Sequence, residues 1–175
     1  MERRIVTVHR DCPARLVPTG DPISIPEGSF VTLTQTLGGT YTVIVNGNMA
    51  RVDGSDADAL GFEREVLQFD PRPDGKVDRS QIKEALTSVY DPEIPVNIVD
   101  LGLIYGWECN DAGAVQVTMT LTAPGCGMGP VLVEEVRNRV SRVPNVSSVE
   151  VELVFDPPWS RDMMTEEAQL ELGLF

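Results

Sequence analysis

Ala114-Val115-Gln116-Val117-Thr118-Met119-Thr120-Leu121 alternates apolar and polar side chains without a break, the two-residue period of a strand with one buried face. Val115, Val117, Met119 and Leu121 share that face. The strand leads into Thr122-Ala123-Pro124-Gly125-Cys126-Gly127-Met128-Gly129-Pro130, and the period then changes. Leu132, Val133, Val136, Val140 and Val143 recur at helical spacing, with Glu134, Glu135, Arg137 and Arg139 outside. Pro130 suits a first helical turn, where its missing N–H is no loss. Pro144-Asn145 ends the helix. Val149, Val151, Leu153 and Phe155 then alternate with Glu150, Glu152 and Val154 as a closing strand. A strand on each side of a helix allows the last strand to pair in parallel with an earlier one, giving a mixed sheet.

Toward the N-terminus the pattern continues. Leu103 to Cys109 reads as a strand, joined to the next by the turn Asn110-Asp111-Ala112-Gly113. Asp78 can cap a helix, with Gln81 completing a capping-box-like arrangement. Ile82, Leu86 and Val89 mark that helix's buried face, and Pro92 and Pro95 stop it near Tyr90. The order helix, strand, strand, helix, strand predicts a compact α+β domain over residues 79–175, its helices on one face of a mixed, mostly antiparallel sheet.

Asp70-Pro71-Arg72-Pro73-Asp74-Gly75 marks a linker, set at residues 71–78. Residues 1–70 before it are β-rich. Phe30 to Thr36 and Tyr41 to Val45 read as strands around Gly38-Gly39, and Asn46-Gly47 is a hairpin turn before Met49 to Val52. Ile5 to Val8 adds a fourth strand. A meander of this size has little core of its own and is expected to lean on the rest of the chain or on a second subunit.

The 175 residues are 42% apolar, enough for a real core, and the net charge is −13. That charge argues against nucleic acid and anionic membrane surfaces as partners. The excess is uneven: residues 1–78 carry 8 basic and 12 acidic side chains, the remainder 6 and 15. No run approaches the roughly 18 apolar residues of a membrane span. The start, Met1-Glu2-Arg3-Arg4-Ile5-Val6, does not read as a signal peptide. Three widely spaced cysteines, Cys12, Cys109 and Cys126, do not make a disulfide framework, so a cytoplasmic setting is expected.

Cys126 stands among three glycines and two prolines, just before a helix. Unpaired N–H groups and the positive end of the helix dipole favour a thiolate there. The alternative is a flexible turn with an incidental cysteine. No CxxC pair accompanies it, and the chain has one histidine, His9, so a complete zinc site is not expected and no Ser-His-Asp triad can be built. The glycine-rich loop lacks the GK[ST] ending of a phosphate loop. Cys109 reads as structural, and Cys12, before Pro13 in what reads as a loop, as a secondary candidate. Asp91 and Glu93, two residues apart, either tune the thiol and meet a metal or make an ordinary turn. Asp100-Leu101-Gly102 reads as a turn before a strand, and Met163-Met164 as packing.

Four motifs together carry a resemblance. Asp91-Pro92-Glu93-Ile94, Asp100-Leu101-Gly102-Leu103-Ile104-Tyr105, Leu121-Thr122-Ala123-Pro124-Gly125-Cys126 and Asp156-Pro157-Pro158-Trp159-Ser160 occur in this order over about residues 79–165. The chain thereby resembles the family of iron–sulfur maturation factors, which includes SufT and PaaD. Cys12-Pro13-Ala14, Leu37-Gly38-Gly39-Thr40-Tyr41-Thr42-Val43 and Asp56-Ala57-Asp58-Ala59-Leu60-Gly61 resemble the extension that distinguishes SufT proteins. Many relatives have proline after the loop cysteine, where this chain has Gly127.

The resemblance implies a carrier or targeting factor in iron–sulfur cluster assembly rather than an enzyme, with Cys126 as the reactive, cluster-binding position. It implies that Asp91, Glu93, Asp100 and Thr122 line the site, and that partners are the SUF assembly proteins and client apoproteins. A cluster normally takes four ligands. Cys126 alone cannot hold one, so a homodimer is expected to pair two such thiols, the rest coming from Cys12, small thiols or a client. The iron–sulfur cluster or iron is expected to be transient: a weak, oxygen-sensitive site shared across an interface, or none in the purified protein. A metal-free adaptor recruiting clients is the competing class. A thiol enzyme ranks last, with no general base or resolving cysteine nearby.

Overall fold

The computed structural model describes residues 3–64, 68–91, 94–122 and 129–173. The chain divides into two compact units, Met1–Leu67 and Gln68–Phe175.

The first unit is a six-stranded antiparallel sheet. Its strands are β1 (Arg4–Thr7), β2 (Cys12–Leu16), β3 (Pro22–Ile25), β4 (Phe30–Leu37), β5 (Thr40–Val45) and β6 (Asn48–Asp53), in the spatial order β1-β4-β5-β6-β2-β3. Two hairpins organise it. Gly38 and Gly39 both have positive φ (63° and 75°), as do Asn46 and Gly47 (51° and 80°), the double left-handed turn that matches strand twist. A 3-10 helix, Gly54–Leu60, follows β6, with the Asp53 carboxylate accepting from the Ser55 N–H at 2.9 Å. Val31, Val43, Ala50 and Val52 form the core with Val8, Ile25, Ala57 and Leu60, and the Tyr41 and Phe62 rings stack at 5.5 Å. The expected small meander without its own core is therefore corrected. Two further strands, β2 and β3, complete the sheet, and the unit encloses a core among its own residues. Pro13 and Pro22 disguise these strands, because proline is excluded only from fully paired positions. Here β3 is an edge, and β2 pairs with β6 only at Arg15 and Leu16.

The second unit starts with α1 (Arg79–Thr87) and continues through β7 (Ile104–Cys109), β8 (Ala114–Met119), α2 (Gly129–Ser141) and β9 (Ser148–Leu153). A 3-10 turn, Arg161–Met163, and a short α3 (Glu166–Glu171) follow. The sheet order is β7-β8-β9. β7 and β8 are antiparallel, β8 and β9 parallel. Helices and a mixed sheet make this the expected α+β architecture. Val115, Val117, Met119 and Leu121 are at most 5% exposed, as the alternation requires. Ile82, Leu86, Leu132, Val136 and Val140 of the two helices are likewise at or near full burial.

Three details differ from the sequence reading. Asp78 caps α1 by accepting from the Ser80 N–H at 2.9 Å, but the Gln81 side chain turns away to donate to the Asp70 carbonyl at 2.7 Å, so no capping box closes. Arg139, expected outside, is 2% exposed and donates to Ser88 Oγ at 3.0 Å. It thereby sets a positive charge at the C-terminal end of α1, the negative end of the helix dipole. The third, α3, has the Thr165 hydroxyl as its cap, accepting from the Ala168 N–H at 3.2 Å, with Glu166 and Glu167 in the first turn.

Candidate functional site

The parallel pair β8 and β9 marks out a candidate site. Their C-terminal ends lie together, and α2 begins there. The carboxyl ends of parallel strands are where such sheets leave a ligand-accessible crevice. β7 runs the other way, so its N-terminal end, and the loop that precedes it, lies at this same edge.

That loop is built by side chains that hold its own backbone. Asp91 is 7% exposed. Its carboxylate accepts from the Ile94 N–H at 3.1 Å, and its N–H donates to the Val96 carbonyl at 3.3 Å. Tyr90 and Asn97 form an isolated bridge. Asn97, also 7% exposed, accepts the Asp100 N–H at 2.9 Å and donates to the Asp100 carboxylate at 3.0 Å. This reciprocal pair starts one helical turn, closed by Leu101 N–H donating to the Asn97 carbonyl at 3.0 Å. Leu103 then ties the loop to the end of β8, accepting the Thr120 N–H at 2.8 Å.

The chain beyond β9 returns over the same edge. Val154 N–H donates to the Met119 carbonyl at 2.9 Å. The Trp159 indole N–H donates to the Leu101 carbonyl at 2.8 Å, and the Tyr105 hydroxyl donates to the Pro157 carbonyl at 2.6 Å. Thr165 N–H reaches the Asp100 carbonyl at 2.9 Å. Gly102, at φ 84°, admits this segment: a Cβ there would lie 2.5 Å from the Met163 carbonyl oxygen. Met164 is 5% exposed and packs as a core side chain.

Of the site residues expected from sequence, Asp91, Asp100 and Thr122 stand in this region. Asp91 and Asp100 share the loop before β7, and Thr122 is half-buried just beyond the end of β8. Glu93 and Cys126 lie outside the described residues. Their flanks are placed: α2 begins at Gly129, where a Cβ would lie 3.1 Å from Leu121 Cδ1 and 3.6 Å from Leu153 Cδ1. Glycine thus lets the first turn of α2 rest on the residue before Thr122. Cys12 stands elsewhere, in the first unit. It is in strand β2 rather than a loop and is fully buried. Burial, followed by the nearby Asp56 carboxylate, pushes its thiol up to about 11. Cys109, half-buried at the end of β7, is a free thiol. His9 is exposed and lies against Gly61. Among the described residues, no group of three or more His, Cys, Asp or Glu side chains could hold a metal ion.

Asn97, Tyr105 and Trp159 organise the loop and are not among the site residues expected from sequence. The spacing of Asn97 and Asp100 is a helix-capping signal that could have found the first. Tyr105 and Trp159 act through distant carbonyls, which no local pattern discloses.

Residues 79–153 match the model of a family described as iron–sulfur cluster assembly protein. An Fe-S protein maturation auxiliary factor of Porphyromonas gingivalis is 53% identical over 92 residues, which are 53% of this chain and 88% of that protein. This chain belongs to the iron–sulfur cluster assembly protein family. Another relative, the Fe-S protein maturation auxiliary factor SufT of Staphylococcus aureus, is 42% identical over 86 residues, 49% of this chain and 98% of that protein. The crystal structure of a domain of unknown function from Bacillus anthracis aligns with a TM-score of 0.52 at 36% identity. It covers 55% of this chain and 92% of that domain. The family match falls within the second unit, on the elements that assemble the loop, the ends of β8 and β9 and the start of α2.

Proposed function

We propose that this protein is a maturation factor for iron–sulfur proteins that carries or targets clusters to client apoproteins through Cys126. The observation that carries the reading is the convergence of the 91–105 loop, the end of β8 and the 156–165 segment on one edge of a family-typical sheet. The names of the relatives from Porphyromonas gingivalis and Staphylococcus aureus support it. The cluster is cargo, not a resident cofactor, and the protein is a carrier rather than an enzyme. Its partners are iron–sulfur assembly proteins and client apoproteins, in the cytoplasm.

Ligand number sets the mode of holding. A cluster takes four ligands, usually thiolates. Cys126 supplies one per chain, so two copies supply two, and small thiols or a client complete the set. Cys12 is left out of this set, because its thiol is buried and protonated at neutral pH. Incomplete ligation favours release to a client over storage. Asp91, Glu93, Asp100 and Thr122 orient the cysteine loop or meet the iron.

Anaerobic reconstitution of the full chain with iron and sulfide, beside Cys126→Ser, tests this. Absorbance and Mössbauer spectra are expected to show a cluster that the variant lacks. If both stay iron-free while the wild type still binds client apoproteins, the carrier reading fails and the chain is a metal-free adaptor.

A further inference from the structure

The two edges of the β7-β8-β9 sheet are not alike. β7 carries a register irregularity between Ile104 and Gly106, the kind of interruption that blunts an edge against further pairing. β9 has none. It pairs with β8 in unbroken register from Ser148 to Leu153 and contains no proline, glycine or lysine. The chain beyond it crosses the sheet end toward Leu101 and Tyr105, away from the outer side of β9. Ser148, Glu150, Glu152 and Leu153 are exposed.

The side chains of β9 separate by face. Val149, Val151 and Leu153 align with Val115, Val117 and Met119 on the helix side, and Phe155 follows two residues on. Leu153 and Phe155 remain 36% and 40% exposed. Glu150 and Glu152 stand on the opposite face, with Glu108 and Gln116 in the same row. Among the described residues, none of these three carboxylates is in an ion pair. An antiparallel meeting of two copies along β9 would set glutamates against glutamates, which is unfavourable. A strand of the opposite charge pattern meets a backbone edge that pairs with no further strand among the described residues, an apolar row and an acidic row together.

We propose that the outer edge of β9 is a docking site for an extended segment of a partner protein in which basic and apolar residues alternate. The segment adds to the sheet as a fourth strand. Its backbone pairs with β9, its basic side chains face Glu150 and Glu152, and its apolar ones cover Leu153 and Phe155. This surface stands whether or not the chain carries iron.

The test uses the full chain and a labelled, end-capped ten-residue peptide alternating lysine and valine, followed by fluorescence anisotropy and by amide NMR. Binding is expected, with shifts concentrated at residues 148–153. It should weaken at least about tenfold when the peptide is N-methylated at every residue, and likewise against Glu150→Lys/Glu152→Lys. That folded double variant should instead bind a peptide alternating glutamate and valine. The proposal is overturned by absence of binding at millimolar peptide, by shifts centred elsewhere, by undiminished binding of the methylated peptide, or by a double variant that still holds the lysine peptide.

Discussion

The indole N–H of Trp159 donates to the main-chain carbonyl of Leu101 at 2.8 Å, across 58 residues of sequence. With the Tyr105 hydroxyl on the Pro157 carbonyl, it fastens the C-terminal segment over the loop before β7. Trp159→Phe and Tyr105→Phe each remove one donor while keeping most of the ring. Each is expected to cost about 1 kcal/mol in chemical denaturation. The double variant should cost measurably less or more than the sum, because both bonds hold one segment. Strict additivity would show that the two act separately.

Gly102 and Gly106 make a matched pair. Gly102 has φ 84°, and a Cβ there would lie 2.5 Å from the Met163 carbonyl oxygen, whereas a Cβ at Gly106 meets nothing within 4 Å. Gly102→Ala is expected to destabilise by about 2–4 kcal/mol, through strain and collision. Gly106→Ala should stay within about 1 kcal/mol of wild type. Thermal melts of the two variants, side by side, check this.

Cys12 gives a dependence on alkaline pH. Its thiol ionises near about 11 in the fold, against an ordinary value of 9.0. Between these values the unfolded chain has lost a proton that the folded chain keeps. Stability contributed by the neutral buried thiol is therefore complete below pH 9 and lost as pH rises toward 11, by about 2 kcal/mol for one such group. Denaturant melts at both ends of this window should show a loss that Cys12→Ala lacks. Mapped alkylation with iodoacetamide should find Cys12 unreactive at neutral pH.

Asp78 gives the opposite dependence. Hydrogen bonds from the Ser80 hydroxyl and N–H hold its carboxyl below the ordinary 3.8. A depressed carboxylate contributes stability above the ordinary value, lost as pH falls through the folded one. Asp78→Asn should keep the cap and flatten the acid dependence, while Asp78→Ala lowers the melting temperature at neutral pH as well. Calorimetry between about pH 2 and about pH 7 is the measurement.

Much of the second unit was legible because its signals are local. The alternation from Ala114 to Leu121 and the helical spacing from Leu132 to Val143 each report a buried face directly. Asp78 announced its helix, and Gly38-Gly39 and Asn46-Gly47 announced their hairpins. What escaped depends on remote partners. Cys12-Pro13-Ala14 reads as a loop until β3 supplies its antiparallel neighbour. Arg139 reads as solvent-facing until Ser88, 51 residues earlier, takes its guanidinium. At the site, the resemblance pointed to Asp91 and Asp100. The structure adds that Asp91 steadies a turn through the Ile94 N–H and that Asp100 is locked to Asn97.

The contacts of Trp159 and Thr165 with Leu101 and Asp100 are all made to carbonyl oxygens. Every amino acid offers that oxygen, so these bonds make no demand on the loop's side chains beyond the glycine that must stand at 102. The other displayed positions can therefore vary, or be redesigned, without loosening the frame that presents them.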